Sequence, residues 1–127
     1  MTWITTLSLL IAAIIHALPA VGMLGANWLH KLYGIEFTEP NTLLLMQHRA
    51  LLFGVVALVF LYAIVQPDYR VFALVLGLIT TVGFVVLALP FEAHNALIVR
   101  VAKIDVVVIV FLVAGLLNEL FFLKQST

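Results

Sequence analysis

The stretch Thr42–Val65, TLLLMQHRALLFGVVALVFLYAIV, decides the architecture. At ~1.5 Å per helical residue it crosses a hydrocarbon layer of about 30 Å, so it reads as a membrane-spanning helix. His48 and Arg49 lie inside it. A guanidinium at membrane depth costs about 3 kcal/mol on the mildest scale and more on others, so such a residue is expected to have a partner and a role.

The rest of the chain repeats the pattern. Of 127 residues, 65% are hydrophobic and 9% charged, and the mean hydropathy is +1.27. A soluble core of this size could not absorb that much apolar surface. Further apolar stretches run over 3–24, 70–89 and 96–123, which makes one domain, 1–127, with four spans. The expected fold class is all-α: a polytopic membrane four-helix bundle. The first stretch lacks a positively charged segment after Met1, and its apolar run is too long for a cleaved signal, so it is expected to remain as a membrane helix.

Turn residues divide the spans. Gln66-Pro67-Asp68 predicts a tight antiparallel hairpin between spans two and three, and Pro90 ends span three. Thr38 is expected to cap span two, with Glu39 and Pro40 in its first turn. Between spans one and two, Trp28, Leu29, Leu32 and Tyr33 recur at helical spacing, which predicts a short helix at the membrane surface. Pro19 predicts a kink or broken turn in span one, with carbonyls freed near Ile15 and His16.

Counting depth along the helices brings polar residues into one layer. His16 lies ~12 Å from its end of span one, Arg49 ~10 Å into span two and Asp105 ~13 Å into span four. Arg49 and Asp105 form the natural buried ion pair, since each alone is an uncompensated charge. His16 and His48 are placed around it as hydrogen-bonding groups. Arg100 stands about 140° from Asp105 on the helical wheel and snorkels toward the surface, while Asn95, Glu39 and Asn41 fall at a rim.

Simpler structural readings stand beside these. Arg49–Asp105 can be a register-setting bridge, His16 can bond a carbonyl loosened by Pro19, and His48 can face headgroups. Glu92 and His94 read as solvated loop residues, and Asn118-Glu119 as an interfacial helix end. Span three carries no internal charge; Gly77, Thr80, Thr81 and Gly83 give it a small, weakly polar surface suited to close packing.

Absent features narrow the chemistry. Six Lys+Arg balance six Asp+Glu, with no basic stripe for nucleic acid. There is no cysteine, which removes disulfides and thiolate chemistry. No H-E-x-x-H, Gly-rich phosphate loop or G-x-S-x-G occurs. No metal is expected, because Arg49 beside His48 repels a cation, and no cofactor is implied.

The strings IIHALP (14–19), LYGI (32–35), EPN (39–41) and MQHRALLFG (46–54), with Asn95, Arg100 and Asp105, resemble a family of small bacterial four-helix membrane proteins. In size and span count the chain is also loosely similar to DoxX-like proteins. The resemblance implies the four-span fold and a bacterial inner-membrane location, and it highlights His16, His48, Arg49 and Asp105. Members of the small family often carry the label phosphopantetheine adenylyltransferase. That enzyme needs a soluble nucleotide-binding domain and an H-x-G-H or T-x-G-H motif; this chain has neither. Nor does Gln47-His48-Arg49 match the R-x-x-x-N-x-x-E pattern of four-helix glutathione-handling membrane enzymes.

The leading expectation is a buried site of His16, His48, Arg49, Asn95, Arg100 and Asp105, rimmed by Glu39 and Asn41. It would take a small amphiphilic or lipid-soluble ligand, such as a quinone, isoprenoid or fatty acyl molecule. Acid–base chemistry at a histidine is a further option. The competing expectations are an accessory or assembly subunit of a larger membrane complex and a small transporter built as a homo-oligomer. Four spans put both termini on one face. If Arg100 and Lys103 point into the bundle, the positive-inside count makes that face weakly cytoplasmic.

Overall fold

The computed structural model describes residues 2–127. Five α-helices account for most of them: α1 Thr2–Ala20, α2 Ala26–Tyr33, α3 Pro40–Val65, α4 Arg70–Leu87 and α5 Ala96–Ser126. Four segments are long and apolar enough to cross a membrane: Trp3–Leu24, Pro40–Val65, Pro67–Leu87 and Ala96–Ser126. The third ends earlier than the expected residue 89, and the last runs past residue 123.

Helix α1 packs against α3 and α5, and α4 against α5, so the order around the bundle is α3, α1, α5, α4. The α3–α4 seam is far more open than the other neighbouring pairs. Leu9, Phe60, Leu74, Val108 and Leu112 fill the shared interior. Large apolar side chains such as Leu58, Ile79, Val110 and Leu117 point outward, as suits a lipid-facing surface. Without a water-driven hydrophobic force between helices in lipid, close packing has to hold the bundle together. Two glycines permit it. A Cβ on Gly115 would lie 2.9 Å from Ser8 Cβ, and one on Gly77 would lie 3.1 Å from Leu112 Cδ1.

The face carrying both termini, here the terminal face, is tied by polar bonds. The Arg70 guanidinium meets Glu119 at 3.3 Å and donates to the Ala63 and Ile64 carbonyls at the end of α3. It therefore satisfies carbonyls that every helix end leaves without a partner. Asn118 donates to Thr5 Oγ1 at 2.9 Å, and Ser8 Oγ donates to the Ile4 or Phe111 carbonyl. Asn118-Glu119 is thus a set of interhelix ties within α5 rather than an interfacial end.

On the opposite, loop face the broken turn expected at Pro19 is present, and the expected cap of α3 is corrected. The α-helix ends at Ala20, just after Pro19, and tightens into a 3-10 turn over Val21–Leu24. Glu39, not Thr38, caps α3. Its carboxylate accepts from the Asn41 and Thr42 amides at 3.0 and 2.8 Å and from the Thr42 hydroxyl at 2.9 Å, with Pro40 in the first turn. Three donors draw Glu39 into the cap, and they hold its carboxyl below the usual carboxylate range, the Asn41 amide contributing most.

The predicted short helix forms as α2, but only part of it faces outward. Leu29 and Tyr33 are buried against Phe37, Met46 and Val101, while Trp28 stays exposed. Gly22 makes this seat possible, because a Cβ there would come within 2.6 Å of Leu29 Cδ2. Gly34, in the left-handed region at φ 68°, ends α2 by donating to the His30 carbonyl at 2.7 Å.

Candidate functional site

Arg49 is the centre of the loop-face half. Its guanidinium donates to the Tyr33 hydroxyl at 2.8 Å and sits over three rings: Phe53 at 4.6 Å, Tyr33 at 5.4 Å and Phe84 at 5.7 Å. Phe53 lies one helical turn beyond Arg49 on α3, which puts both on one face. The aromatic faces stabilise the cation electrostatically without consuming its N–H donors. Tyr33 is itself fixed, because its backbone carbonyl accepts from Asn95 Nδ2 at 2.8 Å.

His16 and Asp105 reach the same place from α1 and α5. Together with Arg49, Tyr33, Phe53 and Phe84 they line a small internal cell of about 30 Å³, room for a water molecule. The depth count along three helices therefore brings His16, Arg49 and Asp105 together. It does not bring the expected ion pair into contact. Among the described residues the salt bridge is Arg70–Glu119; Arg49 acts on Asp105 electrostatically across the cell. The reason is local: the guanidinium is taken up by the Tyr33 hydroxyl and the three rings.

His16 is 2% exposed and packs edge-on to Phe60. Its Nδ1 lies 2.9 Å from the Ala12 carbonyl, a preceding turn of its own helix rather than a carbonyl freed by Pro19. A carbonyl only accepts, so Nδ1 carries the hydrogen and Nε2 of the neutral ring is an acceptor. Nε2 faces Thr80 Oγ1 at 3.1 Å, and the same hydroxyl is 2.9 Å from the Gly77 carbonyl. The single Thr80 hydroxyl hydrogen thus has two alternative acceptors.

Thr80 opens the inner cell's chemistry toward the α3–α4 seam. A groove of about 350 Å³ runs there, lined by Arg49, Leu52, Phe53, Val56, Thr80, Gly83, Phe84 and Leu87. A Cβ on Gly83 would have nothing within 4 Å, so this glycine borders open space. A further cavity of about 190 Å³ lies between Arg49, Tyr33, Ile35, Met46, Phe84 and Ile98. Arg49 is therefore a common wall of the groove, the inner cell and this cavity.

Other expected site residues stand apart. His48 is exposed on the outer side of α3 and lines none of these spaces, because its neighbour Arg49 takes the inward position. Asn95 is the cap of α5, accepting from the Ile98 amide at 3.0 Å, and a clamp on Tyr33. Glu39 is occupied as the α3 cap and Asn41 is exposed beside it, so neither forms a rim. Arg100 and Lys103 are exposed, which removes the premise that they point into the bundle. No trio of His, Asp and Glu comes together among the described residues. Tyr33, Phe53, Thr80 and Phe84 were not singled out for the site by the sequence, although Phe53 sits at the i+4 spacing that would have found it.

No family model, curated protein or solved structure matches this chain.

Proposed function

We propose that this chain binds a small amphiphilic molecule in the α3–α4 seam, with Arg49 holding its polar head and the groove its apolar body. The observation that carries the reading is the state of Arg49. It commits one hydrogen bond to Tyr33, makes no direct salt bridge, and walls three adjoining cavities. A guanidinium fork with donors to spare in an apolar setting suits a carboxylate, phosphate or carbonyl oxygen. The groove's volume is near the lower end of small-molecule sites. Its open side faces lipid, so the ligand enters laterally. Asp105 balances the charge of Arg49 from behind, and His16 exchanges a proton with the head through the Thr80 hydroxyl where chemistry follows binding.

The host membrane in this reading is the bacterial inner membrane. With Lys31, Arg100 and Lys103 exposed on the loop face against Arg70 and Lys124 on the other, the positive-inside count leans by one residue toward a cytoplasmic loop face. Single cysteines introduced into this cysteine-free chain, at residue 127 and in the loop around residue 36, test it by labelling from outside intact cells: residue 127 should label and residue 36 should not.

The ligand reading is tested by mass spectrometry of the small molecules that co-purify in mild detergent. The wild type should carry a defined amphiphile that Arg49→Gln loses. Gly83→Leu, which grows into open space, should fold as the wild type does and also lose it. The same molecules in all three proteins would refute the reading, and a co-purifying protein partner in place of a ligand would favour an assembly subunit.

A further inference from the structure

A second cavity adjoins the inner cell, with Ile15, Pro19, Tyr33 and Val101 as common walls. It measures about 370 Å³ between α1, α2 and α5. Lys31 and Arg100 stand at it, against an apolar wall that includes Ile15, Leu18, Leu32 and Ile104. No carboxylate lines it. Lys31 Nζ rests over the Trp28 ring at 4.9 Å, and neither cation forms a salt bridge. Both therefore keep their donors for an outside anion. Arg100 lies ~7 Å along α5 from its cap, and α2 lies at the membrane surface, which is the level of lipid phosphates rather than of acyl tails.

We infer that this cavity is a binding site for an anionic phospholipid, its phosphate held between Lys31 and Arg100 and an acyl chain laid on the Ile15–Leu18–Ile104 wall. A zwitterionic lipid brings its own cation against the two basic groups and fits less well. A free phosphate satisfies the charges and leaves the apolar wall uncovered. The site is independent of the Arg49 groove: the two share no lining residue, and Arg49 does not line it. Each basic residue at a membrane surface contributes about a fivefold preference for anionic lipid.

The test is native mass spectrometry of the full-length protein, delipidated and then titrated with phosphatidylglycerol or phosphatidylcholine of matched chains. Phosphatidylglycerol should bind the wild type and phosphatidylcholine should not. Lys31→Gln and Arg100→Gln should each weaken binding about fivefold and the double variant about 25-fold, with melting temperatures unchanged because both side chains are exposed. Arg49→Gln should bind phosphatidylglycerol as the wild type does, so that loss of the groove ligand and loss of this lipid are separate results. Equal binding of both lipids, or full binding by the double variant, would overturn the inference. Displacement of phosphatidylglycerol by equimolar inorganic phosphate would also overturn it and assign the site to a soluble anion.

Discussion

The two ends of the bundle treat their arginines differently. On the terminal face, Arg70 is closed in: it meets Glu119 and two helix-end carbonyls, while Thr5, Ser8 and Asn118 tie α1 to α5 beside it. On the loop face, Arg49 bonds one hydroxyl, lies among three rings and fronts cavities, and its nearest opposite charge stands across a gap. A buried cation whose partners all belong to the protein is a structural tie. One held by ring faces keeps its donors for something else. The difference separates the cation that ties the fold together from the one on which the proposed ligand site rests.

Four changes would sharpen or break that comparison. The largest effect belongs to Arg70→Gln, which leaves Glu119 and the end of α3 without their partner. It should cost about 2–3 kcal/mol, at or below the usual range for breaking a buried pair because both side chains keep some exposure. Reversible unfolding in mixed micelles measures it. Gly115→Val comes next. It drives a side chain into Ser8 and should cost about 2 kcal/mol by overpacking, read as a lowered melting temperature with the Arg49 groove intact.

Tyr33→Phe is smaller. It removes the hydroxyl that Arg49 bonds but keeps the ring, and should cost about 1 kcal/mol in the same unfolding assay. If Tyr33→Phe destabilised as much as Arg70→Gln, the loop face would be a structural knot too. The smallest effect is at Glu39. Its folded carboxyl titrates below the ordinary value of 4.5, so the cap stabilises α3 above that pH and its contribution fades as the pH falls through the lower folded value. Glu39→Gln should lower the melting temperature slightly at neutral pH and flatten the acid limb, so that the two proteins converge in acid.

Much of this architecture was legible because its signals are local. Span length and apolar composition mark the four crossings, Gln66-Pro67 marks the hairpin, and helical rise alone puts His16, Arg49 and Asp105 at one depth. Direction around the helix was less legible. Depth does not say that Arg49 points inward and His48 outward, nor that Arg100 opens on a different cavity from Asp105. The ion pair was misread for the same reason: charge arithmetic demands a carboxylate, whereas packing supplied Tyr33, Phe53 and Phe84. Arg70–Glu119 joins residues far apart in sequence, and span order alone puts both near the terminal face without pairing them. The Glu39 cap displaced Thr38 because a carboxylate can accept from two amides and a hydroxyl at once.

The most direct measurement compares Arg49→Gln with Arg70→Gln in thermal unfolding, each delipidated and then with native membrane lipid extract restored. Arg70→Gln should melt well below the wild type in both states. Arg49→Gln should lose less than half as much when delipidated, and it should lack the gain that the extract gives the wild type through ligand binding. Delipidated Arg49→Gln falling as far as Arg70→Gln, with no gain for the wild type on adding extract, would contradict the account and make Arg49 a second structural tie.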